Sequence, residues 1–221
     1  MQIYIANKNY SSWSMRPWLV LEAFELPYTE VMIPFSKERY AGQFKKDVLA
    51  VNPNGKVPAL VDDGFLVWDS MAICEYLAEK FPEKALWPQN IHQRARARSI
   101  SAEMHSGFEN LRNLCGMNIR EDYSELGKKL WSEDESLRKE VERIEQIWAD
   151  RPSKDGFLCG DFSIADAFYA PVVTRFKTYA LPVSENAKQY IETLLNHPAV
   201  QNWVNGALAE TAKVEYLEPT A

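Results

Sequence analysis

The first 81 residues alternate between short strand-like runs and helical stretches. Residues 2–6 and 28–34 have the apolar content and alternation of strands, and residues 15–24 between them are apolar at helical spacing. Because a helix connects these two strands, we expect them to lie parallel with a crossover connection.

An Asp63-Gly64 pair separates the apolar runs 57–61 and 65–68. Both central residues of the tightest hairpin turn need a positive φ, so Asp-Gly between two strands predicts an antiparallel hairpin. Weaker helical spacing over 43–51 and clear helical spacing over 70–81 complete the order β-α-β-α-β-β-α. The pattern predicts a mixed sheet with helices packed on it.

The second half has a different texture. Residues 82–90 contain two prolines and no period, and we interpret them as a linker between a domain over 1–81 and a domain over 91–221. No strand is predicted beyond it. The stretches with helical spacing, which predict an all-α domain, are 92–114, 132–149, 164–177, 186–195 and 199–209.

Charge and cysteine usage narrow the functional classes. The 221 residues include 25 Lys and Arg and 31 Asp and Glu, which gives a net charge of −6. A negative net charge is unfavourable for binding nucleic acid or an anionic membrane. No apolar run reaches the roughly 20 residues of a membrane span, and no signal peptide is recognised. The three widely spaced cysteines predict neither a disulfide framework nor a metal site, and a cytoplasmic location is expected.

Three serines, Ser11, Ser12 and Ser14, precede the first apolar helix. Ser14 is the expected N-cap, with Pro17 in the first turn, where a missing N–H does no harm. No Cys-x-x-Cys pair occupies this position, so disulfide exchange by protein thiols is not expected here.

The Val57-Pro58 bond has two interpretations. A cis bond would leave the backbone groups of Val57 facing outward, free to pair with an extended ligand. An ordinary trans proline at the start of an edge strand is favoured on frequency, because only about 5–6% of X–Pro bonds in folded proteins are cis.

Two Asp/Ser pairs stand at predicted helix starts. At Asp69-Ser70, either side chain could cap the helix, or the pair could bind the α-ammonium and α-carboxylate of one ligand. Ser163 and Asp166 have the spacing of a capping box, for which we expect a role in folding.

Polar residues also share one face of the predicted helix 92–114. His105, Glu109 and Arg112 are spaced i, i+4 and i+7, and Asn113 lies one residue off that face. The face either meets water or forms one wall of a polar cleft towards the first domain.

Taken in order, these motifs resemble the cytosolic glutathione transferases over nearly the whole chain. The resemblance implies a thioredoxin-like domain followed by an all-helical domain. It implies that Val57-Pro58 is the family's Val-cisPro pair, that Asp69-Ser70 holds the γ-glutamyl group of glutathione, and that Ser163 to Asp166 is the capping motif of the second domain.

Residues 11–16, SSWSMR, resemble the zeta-class motif S-S-C-S-x-R, with Trp13 in place of the Cys. The resemblance implies that Ser11 faces the glutathione sulfur and that Gln43 reaches the glycine end. Ser12 is expected to support Ser11, and Ser12, Ser14 and Tyr10 are the alternative contacts of the sulfur. Asn113 falls on an Asn of the zeta pattern, whereas Glu109 replaces a Gln. A serine is too weakly acidic to be a general base, so Ser11 is expected to donate a hydrogen bond to the thiolate.

The implied activity is conjugation of glutathione, as co-substrate, to a small electrophile, or isomerisation of that electrophile as in maleylacetoacetate isomerases. A homodimer is implied, without metal, nucleic acid or membrane. The electrophile pocket is expected to contain Arg16, His105, Glu109, Arg112 and Asn113. The alternatives are a non-catalytic interaction module of the same fold and, with little support, a serine hydrolase, for which no nucleophile-elbow motif is present.

Overall fold

The first half of the chain forms a small mixed sheet covered by helices. A computed structural model describes residues 1–38 and 42–219. Its elements from residue 1 to 80 are β1 (Gln2–Ile5), α1 (Ser12–Ala23), β2 (Thr29–Met32), α2 (Gly42–Val51), β3 (Ala59–Asp62), β4 (Phe65–Trp68) and α3 (Ser70–Lys80). The expected order β-α-β-α-β-β-α is confirmed.

The strands lie in the order β2-β1-β3-β4. β1 pairs parallel with β2, and β3 pairs antiparallel with both β1 and β4. Asp63 and Gly64 have φ angles of 48° and 84°, so both central residues adopt the left-handed conformation that the hairpin requires.

A short 3₁₀ helix, Pro82–Lys84, opens the connection to the helical half. The helices within residues 91–219 are α4 (Ile91–Ser106), α5 (Glu109–Leu114), α6 (Ser124–Glu133), α7 (Glu135–Ala149), α8 (Ile164–Thr178), α9 (Glu185–Leu195) and α10 (Pro198–Ala209), followed by a 3₁₀ turn at Glu215–Leu217. Residues 220 and 221, within the expected second domain, lie outside the described residues. None of the described helices is long and apolar enough to cross a membrane.

Two predicted helices are wrong because each is interrupted. The predicted helix 92–114 stops at Gly107, and Phe108 then adopts a left-handed φ of 54°. Glu140 of α7 accepts hydrogen bonds from the backbone N–H groups of Asn110 and Leu111, which gives α5 its own satisfied N-terminus. The predicted helix 132–149 is likewise interrupted at Asp134, whose side chain caps α7, and α6 was missed.

α8 is the central helix of the core, and packs against both α1 and α4. Its start is held by Asp166, which is fully buried. One carboxylate oxygen accepts from the backbone N–H of Ser163 at 3.0 Å, and the other accepts from Leu158 N–H at 2.9 Å and the Tyr190 hydroxyl at 3.0 Å. The predicted capping box is confirmed.

Candidate functional site

A cavity of about 620 Å³ lies between the first domain and the helical half. The first domain contributes the start of α1, the segment before β3 and the start of α3, while the helical half contributes α5 with the residues after it, α8 and the C-terminal segment. The lining residues are Tyr10, Ser11, Ser12, Trp13, Phe35, Phe44, Asn54, Gly55, Lys56, Val57, Pro58, Asp69, Ser70, Arg112, Asn113, Gly116, Met117, Arg175 and Leu217.

α1 begins at Ser12, one turn earlier than its apolar pattern predicts. Ser14 is therefore not the N-cap, and Pro17 lies in the second turn rather than the first. The sequence pattern missed this start because Ser12 and Ser14 are polar yet buried, with partners that lie far away or earlier in the chain. The N-terminus of α1 consequently lies at the cavity, where Ser11 and Ser12 form part of the wall.

The hydroxyl oxygen of Ser11 lies 2.8 Å from that of Ser14. The Ser14 oxygen also accepts the backbone N–H of Ala6 at 3.3 Å. In this structure the Ser11 hydroxyl donates to Ser14. Because a hydroxyl has one rotatable proton and two lone pairs, this bond can reverse, with Ser14 donating to Ser11 and the Ser11 proton turned into the cavity. Ser14, which is held by the backbone N–H of Ala6, therefore supports Ser11 at the cavity wall.

Ser12 has a different partner. Its hydroxyl oxygen accepts from Nη2 of Arg175 at 3.1 Å. Arg175 is almost fully buried, and burial, as the main cause, lowers the pKa of its guanidinium to about 10, so the group remains charged at neutral pH. Two backbone carbonyls, of Cys115 and Pro171, receive its other hydrogen bonds. Ser12 is therefore linked to a buried cation.

The Val57-Pro58 bond is cis. Frequency favoured trans, and the resemblance gave the correct isomer. Val57 lines the cavity just before β3, and its backbone N–H and C=O have no hydrogen-bond partner among residues 1–38 and 42–219. A backbone N–H and C=O left without partners on a cavity wall can bind an extended peptide-like ligand.

At the start of α3, the two residues of the Asp69-Ser70 pair behave differently. Asp69 caps α3, accepting from the backbone N–H groups of Met71 at 2.8 Å and Ala72 at 3.4 Å, with a left-handed φ of 77°. Ser70 is 1% exposed, and its hydroxyl has no partner among the described residues although it lines the cavity. A buried hydroxyl without a partner is unfavourable unless a ligand or water supplies one.

His105 approaches Asp69 from the helical half. Its Nε2 lies 3.3 Å from Asp69 Oδ2, and this hydrogen bond is the largest cause that lowers the pKa of the Asp69 carboxyl below its ordinary value. The imidazole also packs edge-on against Trp13 with ring centroids 5.3 Å apart. His105 contacts a cavity residue but is not itself part of the cavity wall.

Trp13, the residue that replaces the Cys of the zeta-class motif, lies within cation–π distance of two guanidinium groups. Arg16 lies 4.3 Å and Arg112 5.6 Å from the centroid of its ring. Arg16 is 1% exposed behind Trp13, outside the cavity wall, and burial is the first of the causes that lower its pKa to about 9. No carboxylate among the described residues forms an ion pair with Arg16, Arg112 or Arg175.

The break at Phe108 places His105 on α4 and the other three predicted helix-face residues on α5, so their shared face is wrong. Arg112 and Asn113 line the cavity, whereas Glu109 is exposed outside its lining. Gln43 also lies outside the lining, with its amide donating to Asp47 at 2.6 Å. Within the described part of the chain, no group of three or more His, Cys, Asp or Glu side chains could hold a metal ion.

Comparison with known proteins identifies the family of the chain. Residues 10–80 match the profile of the glutathione S-transferase N-terminal domain, and residues 95–206 match that of the glutathione S-transferase C-terminal domain. The chain belongs to the glutathione S-transferase family. Relatives named as enzymes of this family, described next, support an enzymatic activity for the chain.

Its relatives include zeta-class proteins, as the serine motif indicated. Glutathione S-transferase Z1 of Arabidopsis thaliana is 31% identical over 204 residues, which are 88% of this chain and 90% of that protein. Maleylacetoacetate isomerase of Pseudomonas aeruginosa is 27% identical over 213 residues, 90% of this chain and 93% of that protein.

Solved structures share the fold. Maleyl pyruvate isomerase, a bacterial zeta-class glutathione S-transferase, superposes with a TM-score of 0.72 at 21% identity, covering 96% of this chain and all of that one (100%). A sphingomonad glutathione S-transferase in complex with glutathione gives a TM-score of 0.69 at 22% identity, with coverages of 95% and 100%. The predicted two-part fold is thereby confirmed.

Sequence reasoning missed two parts of this glutathione S-transferase site. Arg175 was missed although it is unusual: it is a cation inside the otherwise apolar stretch of α8, a pattern that often marks a buried functional charge. The C-terminal segment was also missed, because the residue that reaches the cavity, Leu217, lies in a short stretch with no periodic pattern.

Proposed function

We propose that this chain is a glutathione transferase of zeta type, in which the domain over 1–81 binds glutathione and the domain over 91–221, after the linker 82–90, supplies the electrophile pocket. The observation that carries the proposal is the buried hydroxyl of Ser70 beside the Asp69 carboxylate, on a cavity that also contains Ser11 and Val57. Among the described residues, neither the Ser70 hydroxyl nor the Val57 backbone has a hydrogen-bond partner. The electrophile is a small molecule that is conjugated or isomerised.

The first-domain side fits glutathione. Ser70 would donate to the α-carboxylate of the γ-glutamyl group, and the ionised Asp69 would bind its α-ammonium. The backbone of Val57 would pair with the cysteine unit. Gln43, now bonded to Asp47, remains a candidate for the glycine end, and Lys56, which lines the cavity, offers a cation for the glycine carboxylate.

Ser11 would stabilise the thiolate. Lowering a thiol pKa by ~2 units takes roughly 2.7 kcal/mol, and a charge-assisted hydrogen bond supplies about 1.5–3 kcal/mol. One hydroxyl at the start of α1, helped by the helix N-terminus, is therefore sufficient. The alternative donor Tyr10 is less suited, because its hydroxyl donates to Glu218 at 2.5 Å.

The helical side favours an anionic electrophile. Arg112 and Arg175 line the cavity, and Arg16 lies behind Trp13, with no carboxylate of the described chain paired to any of them. Unpaired cations that are partly or fully removed from water gain most from an anionic ligand. A carboxylate on the electrophile would supply that charge, and Trp13 would form the wall beside it.

Ultraviolet absorbance of the bound thiolate, followed against pH, tests the role of Ser11. The Ser11→Ala variant should raise the apparent thiol pKa by at least about 1 unit, with a smaller rise in Ser14→Ala, which removes only the supporting hydroxyl. An unchanged pKa in Ser11→Ala, with glutathione still bound, would transfer the role to Ser12 or Ser14.

Binding experiments test the two sides of the cavity separately. Calorimetry should detect glutathione binding, and no binding at millimolar glutathione would favour a non-catalytic module. The variant Arg112→Met should weaken binding of S-(2-carboxyethyl)glutathione by about tenfold and leave that of glutathione unchanged. Equal losses for both ligands would contradict an anion site at Arg112.

We also propose a homodimer. The edge strand β4 exposes Phe65 and Trp68, which are 64% and 46% accessible, and Ile91 at the start of α4 is 66% accessible. Large apolar side chains on an unpaired sheet edge are typical of a surface that a partner covers. Sedimentation should give a species of about twice the mass of the 25.4 kDa chain, whereas a single species of that chain mass would refute the dimer.

A further inference from the structure

The C-terminal segment reaches back to the cavity. Leu217 is one of its lining residues, on the side formed by Gly116 and Met117. The two segments lie at van der Waals distance, because a Cβ atom at Gly116 would be 4.0 Å from the carbonyl oxygen of Leu217. One apolar wall of the electrophile side therefore comes from a residue more than two hundred positions away from Ser11.

The carboxylate of Glu218 holds the far end of this segment. One oxygen of Glu218 accepts from the Tyr10 hydroxyl at 2.5 Å, and the other accepts from Asn118 Nδ2 at 3.1 Å and from the Tyr123 hydroxyl. The donors come from three places: the residue before Ser11, the segment after α5, and the start of α6. Glu218 thus joins the C-terminal segment to both domains.

The same junction is tied at its other end. The Tyr10 hydroxyl accepts the backbone N–H of Val214 at 3.3 Å. Arg120 donates to the carbonyl of Ala212 at 2.7 Å, and the backbone N–H of Lys8 donates to the Glu210 carboxylate at 2.6 Å. The stretch from 210 to 218 is consequently held at both ends, with Leu217 next to the Glu218 anchor.

We propose that residues 214–218 form a clasp on the electrophile side of the cavity. Leu217 is a specificity-determining residue that packs against the group attached to the glutathione sulfur. Glu218 is a positioning residue, which acts by holding Leu217 and touches no substrate itself. The inference rests on the proposed glutathione-dependent function, because that function places the group attached to the glutathione sulfur beside Leu217.

Two ligands separate the clasp from the glutathione site. Glutathione alone reports on the first-domain side, and S-hexylglutathione adds an apolar chain on the electrophile side. In Leu217→Ala, calorimetry should show at least about fourfold weaker binding of S-hexylglutathione, roughly the value of one methylene group returned to water, with glutathione binding unchanged.

Glu218→Ala should produce the same selective loss of affinity for S-hexylglutathione. The double variant Leu217→Ala/Glu218→Ala should lose no more affinity than Leu217→Ala alone, because Glu218 acts only by holding Leu217. The matched control is Glu215→Ala, an exposed carboxylate in the same segment. Additive losses, or equal losses for both ligands, would overturn the positioning role of Glu218.

Trypsin gives a readout that needs no ligand. Lys213 is exposed directly before the clasp, so release of residues 214–218 should speed cleavage after Lys213 in Glu218→Ala relative to Glu215→Ala, as seen by intact mass. Unchanged cleavage would overturn the clasp. If the wild-type chain bound neither glutathione nor its S-hexyl derivative, the proposed function would fail while faster cleavage still established the anchor.

Discussion

Two helix starts in this protein carry an Asp and a Ser, and they differ in how those side chains are satisfied. At α8, Asp166 is fully buried and accepts from Leu158, Ser163 and Tyr190. At α3, Asp69 is exposed, and the neighbouring Ser70 hydroxyl is buried with no partner in the described part of the chain. A buried polar pair whose hydrogen bonds are all made within the protein stabilises the fold. A pair on a cavity that leaves one hydroxyl without a hydrogen bond is suited to bind a ligand.

Removing the α8 carboxylate should have the largest effect. Asp166→Ala leaves buried donors from Leu158, Ser163 and Tyr190 without an acceptor, and we expect a loss of about 3–5 kcal/mol in the free energy of unfolding. Chemical denaturation checks this, with the exposed Asp161→Ala as control. A loss below about 1 kcal/mol would show that the α8 pair does not hold the fold.

The α3 carboxylate should affect binding instead. Asp69→Asn keeps an acceptor for the caps of α3, and Asn tolerates a left-handed φ, so the free energy of unfolding should change by less than about 0.5 kcal/mol. Loss of the charge should weaken glutathione binding by at least about tenfold. Calorimetry that shows undiminished affinity would remove Asp69 from the ammonium site.

The two carboxyls should also respond oppositely to pH. Burial, as the main cause, raises the pKa of Asp166 from 3.8 to about 6, so the folded state takes up a proton before the unfolded state does. Stability from this group therefore increases as pH falls, by about 1 kcal/mol between pH 6.5 and 5. Denaturation of the wild type and of Asp166→Asn at both pH values measures the difference.

Asp69 has the opposite sign. Its pKa is lowered, chiefly by the hydrogen bond from His105, so any stability it contributes is complete above its ordinary value and is lost as pH falls through the lower folded value. Replacing Asp69 by Asn should therefore leave the pH dependence between 6.5 and 5 unchanged. A slope in this window that disappears in Asp69→Asn would contradict the assignment.

The sequence predicted what depends on local pattern. The order of strands and helices along residues 1–80, the Asp63-Gly64 hairpin and the capping box at Ser163 follow from residues close together in the chain. The start of α1 did not follow, because the buried Ser14 hydroxyl is satisfied by the backbone N–H of Ala6. The break after α4 depends on the left-handed conformation of Phe108. Contacts between distant segments decide both.

The same division applies to the site. Ser11, Ser12, Val57, Asp69, Ser70, Arg112 and Asn113 were predicted and lie on one cavity wall or another. The predictions for the helical half were the least accurate, because the left-handed Phe108 ends the regular helix. The residues after it therefore do not continue the face on which His105 lies. Arg175 and Leu217 reach the cavity only through tertiary packing, which periodicity does not encode.

The difference between the helix starts of α3 and α8 is tested most directly by two matched variants, Ser70→Ala and Ser163→Ala. Glutathione affinity and the free energy of unfolding are measured for each. Ser70→Ala should weaken glutathione binding by at least about fivefold and leave the free energy of unfolding unchanged, since the Ser70 hydroxyl forms no hydrogen bond with residues 1–38 or 42–219. Ser163→Ala should lower the free energy of unfolding by ~1 kcal/mol and leave binding unchanged. Glutathione affinity that survives in Ser70→Ala, with a loss of stability instead, would contradict the account.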